Sequence, residues 1–320
     1  MKIINKFFGR ALLISFALLT PTVFLFCGGG CGSGASFNGG GIGGTGISQG
    51  PITGLGSIFV NGVEFDISNA AITVDGIPGN ASQLQVGQIV TVNGSFNGTT
   101  GTATSVTYEN NVEGPVDSVG TNQLEVLGQD VRIETTTKFE PATYAPKEGD
   151  LVEVSGQADS TGAIHATWIE LILSPYILGT DIEVKGTVTS LNSSQGTFMM
   201  GNLMVNMSGM TPPMGLMNGS YVDVKGTQTV PNGPLMASSV EVQSSGLSGG
   251  AGEGAQIEGF VTGFTSLSSP FMVNGQSVQT QSSTVYENGM PSNLQSDIKV
   301  EVEGVLNASG VLVADKVSFR

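Results

Sequence analysis

Alternating apolar and polar positions recur along the chain and predict short β-strands. The clearest segment is V-x-V-x-G, in which the two valines share one face of a strand and the intervening residues share the other. Its four copies end at Gly94, Gly156, Gly226 and Gly304. An opening triplet, [IV]-x-G, begins at Ile52, Val112, Val184 and Ile257. Its glycine lies 40 to 45 residues before the glycine that ends each copy. The chain therefore contains one unit repeated four times.

An alanine-containing strand closes each unit. The alanines, each followed by a β-branched residue three positions later, are Ala103, Ala166, Ala237 and Ala314. Three is an odd number of steps, so a regular strand would point the two side chains to opposite faces. The pattern therefore predicts either a β-bulge or a strand covered on both sides.

Hairpins lie between the opening strand and the V-x-V-x-G strand. Asn61-Gly62 and Asn274-Gly275 predict type I′ turns, which need positive φ at both central residues. The third unit has Gly201-Asn202 one position early, which predicts a turn of different length or register. We interpret the recurrent glycines as structural, because glycine inside a strand is otherwise unfavourable.

The predicted fold class is all-β, with four tandem small five-stranded barrels. Each unit supplies an opening strand, a two-stranded hairpin, the V-x-V-x-G strand and the closing strand, and no segment has helical periodicity over several turns. Closure into a barrel of the oligonucleotide/oligosaccharide-binding type removes exposed strand edges. The predicted repeats span 51–110, 111–173, 181–243 and 256–320.

The first residues are typical of an export signal. Lys2, Lys6 and Arg10 precede an uncharged apolar run over 11–26, which is shorter than a membrane-spanning helix. We predict a signal peptide over 1–27 and an exported mature chain, placed in the periplasm or attached to the outer membrane.

The cysteines, Cys27 and Cys31, follow this apolar run directly. Their placement indicates a lipid attachment site. The alternatives are ordinary secretion with two free thiols, or one Cys27–Cys31 disulfide loop. Residues 28–50 are rich in glycine and serine and are predicted to form a flexible tether.

Two segments near the start of the first repeat, together with the repeated strands, resemble a known family. The runs GGIGGTGIS at 40–48 and PITGLGSIFVNGVEFD at 51–66, with the repeated V-x-V-x-G and alanine strands, resemble bacterial envelope proteins with a domain of unknown function numbered 5666. The resemblance implies tandem small β-domains exported to the cell envelope, often on a lipid anchor. It implies no catalytic residues.

Charge argues against a nucleic-acid partner. Removal of the leader leaves 8 Lys and Arg against 26 Asp and Glu, a net charge of −18, and no Lys or Arg occurs from 11 to 131. So acidic a surface repels nucleic acid and anionic lipid. Contact with a membrane is expected only through the N-terminal lipid.

Candidate chemistry is sparse, and we predict no catalytic residue, cofactor or metal site. His165, the one histidine, lies near Trp168 and Tyr176, and these three form a candidate ligand face. The alternative interpretation makes His165 an ordinary strand residue and Trp168 a packing residue. Four His or Cys ligands for a structural zinc site are not available in the repeats.

Two further clusters have alternative interpretations. Acidic pairs occur two residues apart at Glu148/Asp150, Asp181/Glu183 and Glu301/Glu303. They are predicted to be mostly solvated charge, with calcium binding as the alternative. Seven methionines cluster between positions 199 and 217 of the third repeat, and we interpret them as core and loop packing, with soft-metal capture as the alternative: Met199, Met200, Met204, Met207, Met210, Met214 and Met217.

These patterns predict an exported, non-enzymatic envelope protein whose barrel array binds a partner or spaces surface components. The alternative is a carbohydrate- or cation-binding lipoprotein that assists an envelope enzyme. The expected partners are an envelope protein or a glycan.

Overall fold

The computed structural model describes residues 44–244 and 246–320. Across these ranges the chain forms 23 β-strands and two short 3₁₀ turns, Ala81–Gln83 and Pro291–Asn293, with no α-helix. The all-β prediction is therefore confirmed. The signal peptide, Cys27, Cys31 and residues 28–43 of the predicted tether lie outside the described residues.

Each repeat has the predicted strand set. Repeat 1 contains β1 (Gly44–Gly54), β2 (Ile58–Val60), β3 (Val63–Asp66), β4 (Ala71–Val74), β5 (Ile77–Pro78), β6 (Ile89–Asn97) and β7 (Thr100–Tyr108). Repeat 2 contains β8 (Val112–Gly120), β9 (Gln123–Val126), β10 (Gln129–Glu140), β11 (Leu151–Ala158) and β12 (Ile164–Leu173).

The later repeats follow the same plan. Repeat 3 contains β13 (Ile182–Thr187), β14 (Thr189–Asn192), β15 (Thr197–Met200), β16 (Leu203–Asn206), β17 (Tyr221–Thr227) and β18 (Leu235–Val242). Repeat 4 contains β19 (Gly254–Thr262), β20 (Phe271–Val273), β21 (Gln276–Glu287), β22 (Lys299–Leu306) and β23 (Leu312–Phe319).

Strand pairing closes five strands of each repeat into a barrel. Repeat 1 adds the short strands β4 and β5, and in repeat 3 β13 and β14 together form the first strand. In repeat 2, β8 pairs with β9, β9 with β10, β10 with β12 in parallel, β12 with β11, and β11 with β8 again. The other repeats have the same cyclic order, with the third and fifth strands parallel. This is the arrangement of the oligonucleotide/oligosaccharide-binding barrel, as the repeat pattern predicts.

In every barrel, the glycine of V-x-V-x-G pairs with the alanine of the closing strand, and a β-bulge follows that alanine. This confirms the bulge predicted from the odd spacing between the alanine and the β-branched residue. In repeat 4, Glu303 pairs with Lys316 while the next residue, Gly304, pairs with Ala314, so Asp315 is the extra residue. The same shift occurs in the other three repeats. A Cβ added to Gly304 would overlap the carbonyl oxygen of Val313 across the strands. This glycine is therefore required by the close approach of two backbones.

The hairpin turns are confirmed in two repeats and differ from expectation in the third. Asn61 and Gly62 have φ of 49° and 75°, and Asn274 and Gly275 have 44° and 80°, as in type I′ turns. In the third repeat Met200 pairs with Leu203, so that turn also has two residues. The predicted change of length or register is wrong, because a glycine at the first turn position supports a type II′ turn of equal length.

The four barrels join in pairs through their first strands. Strand β1 of repeat 1 pairs in parallel with β19 of repeat 4, and β8 of repeat 2 pairs antiparallel with β13 of repeat 3. Ile47 from β1 lies in the core of repeat 4, and Trp168 from repeat 2 lies in the core of repeat 1. The repeats therefore share cores.

Two predicted boundaries at the start of repeat 1 are wrong. Residues 44–50 belong to β1 and not to a tether, because β6 and β19 flank them on both sides and satisfy their backbone groups. The opening triplet of this repeat is also misplaced. Val92 and Val154 are each the second valine of V-x-V-x-G; Val154 pairs with Val112, which begins the triplet of repeat 2, whereas Val92 pairs with Ser48. The first unit thus starts four residues before Ile52.

Candidate ligand-binding cleft

A cleft of about 710 Å³ lies on the first barrel. Its walls are the loop between the first two strands (Gly56 and Ser57), the outer face of β3 (Glu64 and Asp66) and the start of β7 at Thr100. Barrels of this type bind ligands on the face of strands 2 and 3, between the loop joining strands 1 and 2 and the loop joining strands 4 and 5. The cleft of repeat 1 shares two parts of that region, the loop joining strands 1 and 2 and the outer face of strand 3, and extends from there to residues 79–81.

Six side chains that line this cleft can form hydrogen bonds to a ligand. They are Ser57, Glu64, Asp66, Ser68, Asn80 and Thr100. Ser57 donates its hydroxyl to Oε1 of Glu64 at 2.5 Å, and the Ser68 N–H donates to Oδ1 of Asp66 at 2.9 Å. The backbone and hydroxyl of Ser68 lower the pKa of Asp66 below its ordinary value. Asp66 therefore presents a carboxylate at neutral pH.

Local hydrogen bonds fix the wall formed by residues 79–81. Asn80 accepts from the N–H of Ser82 at 3.1 Å, and Oε1 of Gln83 accepts from the N–H of Asn80 at 2.9 Å, which is a capping box on a 3₁₀ turn. Beneath the cleft, Phe65 and Phe96 pack edge to face in the barrel core with ring centroids 5.4 Å apart. The cleft is thus built on rigid elements.

The carboxylate pair is specific to repeat 1. The equivalent hairpin positions hold Asp130 and Arg132 in repeat 2, Met204 and Asn206 in repeat 3, and Ser277 and Gln279 in repeat 4. Glu64 and Asp66 are not among the candidate residues predicted from the sequence. The signal was present in the alternation V-E-F-D, which places both carboxylates on the polar face of a strand.

Trp168 does not belong to a ligand face. Its side chain is only 2% exposed and packs against Tyr108 inside repeat 1. The packing interpretation of Trp168 is confirmed, and its assignment to a candidate ligand face is wrong. The bulge of repeat 2 turns this side chain toward the neighbouring barrel.

His165 and Tyr176 are held in separate contacts. The Nδ1 of His165 lies 2.7 Å from Oε1 of Glu134 and its Nε2 lies 3.2 Å from Oδ2 of Asp159. Its ring contacts Phe260 of repeat 4, with centroids 4.2 Å apart and planes tilted by 38°. Tyr176 packs against the shared core of repeats 2 and 3, and burial raises its pKa. The structure does not bring the three candidates onto one face.

The acidic pairs are less exposed than predicted. Asp150, Glu183, Glu301 and Glu303 are buried. Asp150 accepts from the hydroxyl of Tyr144 at 2.7 Å, while Glu301 pairs with Arg320 and Glu303 with Lys316. The solvated-charge interpretation is wrong for these four residues, because Tyr144 contacts Asp150 and basic side chains pair with Glu183, Glu301 and Glu303.

A buried ionic cluster lies where repeats 1, 2 and 3 meet. Lys185 contacts Glu183 at 2.5 Å and lies 4.0 Å from Asp223. Asp75 accepts from the N–H and side-chain amide of Asn110, both at 3.1 Å. Burial is the largest cause that raises the pKa of Asp75 and of Asp223 to about 6, and a nearby glutamate adds to it in both cases. Each of these direct contacts lies within one repeat, but Glu153 of repeat 2 and Glu183 of repeat 3 both raise the pKa of Asp75 in repeat 1, so charged groups of the three repeats lie close together.

The methionines divide between core and surface. Met200 and Met207 are buried in the core shared by repeats 2 and 3, and Met210 packs against it. Met204, Met214 and Met217 are exposed, as is Met236 on the closing strand of the same repeat. The packing interpretation therefore accounts for only part of the cluster.

The described residues contain neither a metal-binding cluster of His, Cys, Asp or Glu side chains nor a membrane-spanning helix. Over 44–244 and 246–320 no group of three or more His, Cys, Asp or Glu side chains is arranged to hold a metal ion. In the same ranges no helix is long and apolar enough to cross a membrane.

Fold and repeats define the class: the protein is a tandem array of four five-stranded β-barrels. A family model described as "Domain of unknown function (DUF5666)" matches four segments of the chain: 49–107, 113–170, 185–241 and 258–318. The chain belongs to this family. The first match begins at Gln49, beside the start of the unit set by strand pairing. No similar protein was found in the comparison with curated proteins.

Proposed function

We propose that this protein is an exported, non-enzymatic envelope protein whose first barrel binds an uncharged, hydroxyl-rich ligand such as a glycan. The observation that supports the proposal is the cleft of repeat 1, which overlaps the ligand-binding region of this barrel type at the loop joining strands 1 and 2 and at strand 3. The cleft is lined by carboxylates, hydroxyls and an amide. Such groups accept and donate hydrogen bonds to sugar hydroxyls.

The negative charge of the cleft favours neutral ligands over anionic ones. Glu64 and Asp66 line the cleft, and no Lys or Arg occurs in the sequence from 11 to 131. A phosphate- or sulfate-bearing chain would meet uncompensated negative charge in the cleft. Neutral glycans avoid this repulsion.

Binding without hydrolysis fits the state of Asp66. A glycosidase needs one carboxylic acid with a raised pKa to protonate the leaving group. Hydrogen bonds from Ser68 lower the pKa of Asp66 instead. We therefore expect bound glycan to stay intact on prolonged incubation, and release of reducing ends would contradict a purely binding role.

A glycan array followed by calorimetry on the full chain tests the proposal. Glu64→Gln with Asp66→Asn should abolish binding of the neutral glycans that the unaltered chain retains. Asp130→Asn, at the position in repeat 2 equivalent to Glu64, is the matched control and should bind as the unaltered chain does. Binding that survives the double change, or binding restricted to anionic glycans, would overturn the assignment to this cleft.

Two alternatives belong to the same test. A cation held by Glu64 and Asp66 is the second candidate, and it predicts that calcium raises the melting temperature of the unaltered chain but not of the double variant. A spacer role for the array predicts neither glycan binding nor a calcium effect. In either alternative the protein could still assist an envelope enzyme as a lipoprotein.

Export and lipid attachment are proposed from the N-terminal sequence. A charged start and an apolar run precede Cys27 and Cys31. Incorporation of radiolabelled palmitate should disappear when the modified cysteine is replaced by serine and persist when the other is replaced. Incorporation unaffected by both changes together would exclude either cysteine as the anchor.

A further inference from the structure

An amine and two carboxyl groups meet on neighbouring strands of repeat 3. Lys185 on β13 lies directly opposite Asp223 on β17 in the antiparallel register. Glu183 lies two residues before Lys185 on β13, so both side chains share one face of the sheet. The Nζ of Lys185 is 2.5 Å from Oε1 of Glu183 and 4.0 Å from Oδ2 of Asp223. The strand register therefore places a lysine amine between two carboxyl groups.

This group of three side chains is shielded from water. Glu183, Lys185 and Asp223 are all buried. The side chain of Lys185 is 6% exposed, whereas those of Lys225 and Lys316, which also form ion pairs, are 43% and 22% exposed. Exclusion of water from reacting groups prevents competing hydrolysis and strengthens the electrostatic interactions among them. Lys185 therefore differs from these lysines in an environment that suits chemistry between an amine and a carboxyl group.

The same group is unfavourable as a set of buried ions. Within the part of the chain that the structure describes, the buried Oδ1 of Asp223 has no hydrogen-bond partner. Buried charges and buried unpaired polar atoms both cost free energy. An amide between Lys185 and Asp223 would remove one ammonium, one carboxylate and one oxygen atom from this buried region. Glu183 would keep Lys225 as its cation, whose Nζ lies 3.4 Å from Oε2.

We propose that Lys185 and Asp223 condense into an intramolecular isopeptide bond, with Glu183 as the proton carrier. A bond forms between Nζ of Lys185 and Cγ of Asp223, and a bond between Cγ and one carboxyl oxygen breaks. Two of the three ammonium protons pass in turn through Glu183 to the departing oxygen, which leaves as water, and the third stays on the amide nitrogen. Glu183 ends as it began, and the step needs no oxidant or reductant. The bond is independent of the cleft in repeat 1.

Protonation states explain why Glu183 is needed. Burial acts to lower the pKa of Lys185, but Glu183 and Asp223 raise it above its ordinary value, so the amine begins as an ammonium ion. The contact with Glu183 gives its proton a direct route, as general base catalysis requires. Burial raises the pKa of Asp223 to about 6, with Lys185 opposing and Glu183 adding. Part of Asp223 is therefore the carboxylic acid, which an amine attacks more readily than a carboxylate.

Tryptic digestion of the purified full chain followed by mass spectrometry tests the proposal. Trypsin cuts after lysine and arginine, and the sites around the proposed bond are Lys147, Lys185 and Lys225. Unreacted chain gives peptides 148–185 and 186–225. The bond blocks the cut after Lys185 and gives one peptide, 148–225, lighter than its sequence mass by one water molecule. Complete cleavage after Lys185, or peptide 148–225 found only at its full mass, would overturn the proposal.

Variants assign the role of each residue in the same digest. Lys185→Arg keeps the positive charge but not the amine and should abolish the water-deficient peptide, whereas Asp223→Asn should still form the bond with loss of ammonia in place of water. Glu183→Gln should slow bond formation by about 10²- to 10⁴-fold, the usual contribution of general acid–base catalysis. Lys225→Arg is the matched control and should react as the unaltered chain does. Circular dichroism checks that each variant folds, and loss of water that persists in Lys185→Arg would contradict the assignment.

Discussion

The indole ring of Trp168 in repeat 2 meets the phenol ring of Tyr108 in repeat 1 edge to face, with centroids 6.1 Å apart and planes at 87°. Both rings are buried, and the Tyr108 hydroxyl donates to Oε1 of Glu153 at 2.8 Å. Such aromatic pairs contribute energy beyond their buried area. The contact therefore joins two barrels that would each be small on their own.

Replacement of Trp168 by alanine should destabilise the protein strongly. The change leaves a large cavity in the core of repeat 1, and Trp→Ala changes of this kind cost about 3–5 kcal/mol. Urea unfolding followed by circular dichroism measures the loss. Leu178→Ala, at a side chain that is 43% exposed, serves as control and should change stability by less than about 0.5 kcal/mol. Equal stabilities for the two variants would contradict the packing role.

A methyl group at the bulge glycine should be poorly tolerated. Gly304→Ala places Cβ against the carbonyl oxygen of Val313, and overpacking of this kind typically costs about 1–3 kcal/mol. Gly250→Ala is the matched control, because its Cβ would have no atom within 4 Å. Thermal unfolding of the two variants tests the difference. A Gly304→Ala protein as stable as the control would show that the bulge relaxes freely.

Asp297 occupies a backbone conformation that the other repeats give to glycine. Its φ is 66°, and its carboxylate accepts from the N–H and the hydroxyl of Ser160 in repeat 2, both at 2.8 Å. Asp297→Gly should lose these bonds but relieve the left-handed conformation. Asp297→Ala should lose the bonds and keep the strain, which costs about 1–2 kcal/mol. Alanine should therefore be the less stable variant in urea unfolding, and identical midpoints would contradict this order.

Asp75 should make stability fall as the pH rises. Its pKa increases from 3.8 to about 6 on folding, chiefly through burial and the neighbouring Glu153, with Glu183 adding and Lys185 opposing. The folded chain therefore binds this proton more tightly, so the contribution is complete below pH 3.8 and is lost as the pH rises through 6.

Asp75→Asn should remove the contribution of Asp75 to this slope and raise stability at pH 7 by roughly 1–3 kcal/mol. Asp223 keeps its own contribution while its carboxyl is unreacted, because its pKa is also raised to about 6. Asparagine also suits the φ of 49° at this position. Urea unfolding between pH 5 and 7 measures the slope. Asp66→Asn is the comparison: its pKa is lowered, so its contribution is lost only as the pH falls, and the slope above pH 5 should remain. An unchanged slope in Asp75→Asn would contradict the assignment.

Structural features that are set by residues close together in the sequence could be predicted. The alternation of V-x-V-x-G sets one buried face, Asn61-Gly62 sets a two-residue turn, and the odd spacing after Ala314 sets a bulge. Each follows from the geometry of a few consecutive peptide units. The candidate site was predicted less well, because Glu64 and Asp66 become a cleft only when two loops distant in sequence close over β3.

The amino-acid sequence by itself determined the repeat, its five strands, the bulge and most turns, because these depend on backbone geometry within each unit. Tertiary structure decided that residues 44–50 form a strand, since Gly46 lies against Gly254, where an added Cβ would come within 2.7 Å of its carbonyl oxygen. It also decided that Trp168 is buried in another barrel and that Asp297 accepts hydrogen bonds from Ser160 of repeat 2. These outcomes depend on contacts between repeats, which no local pattern encodes.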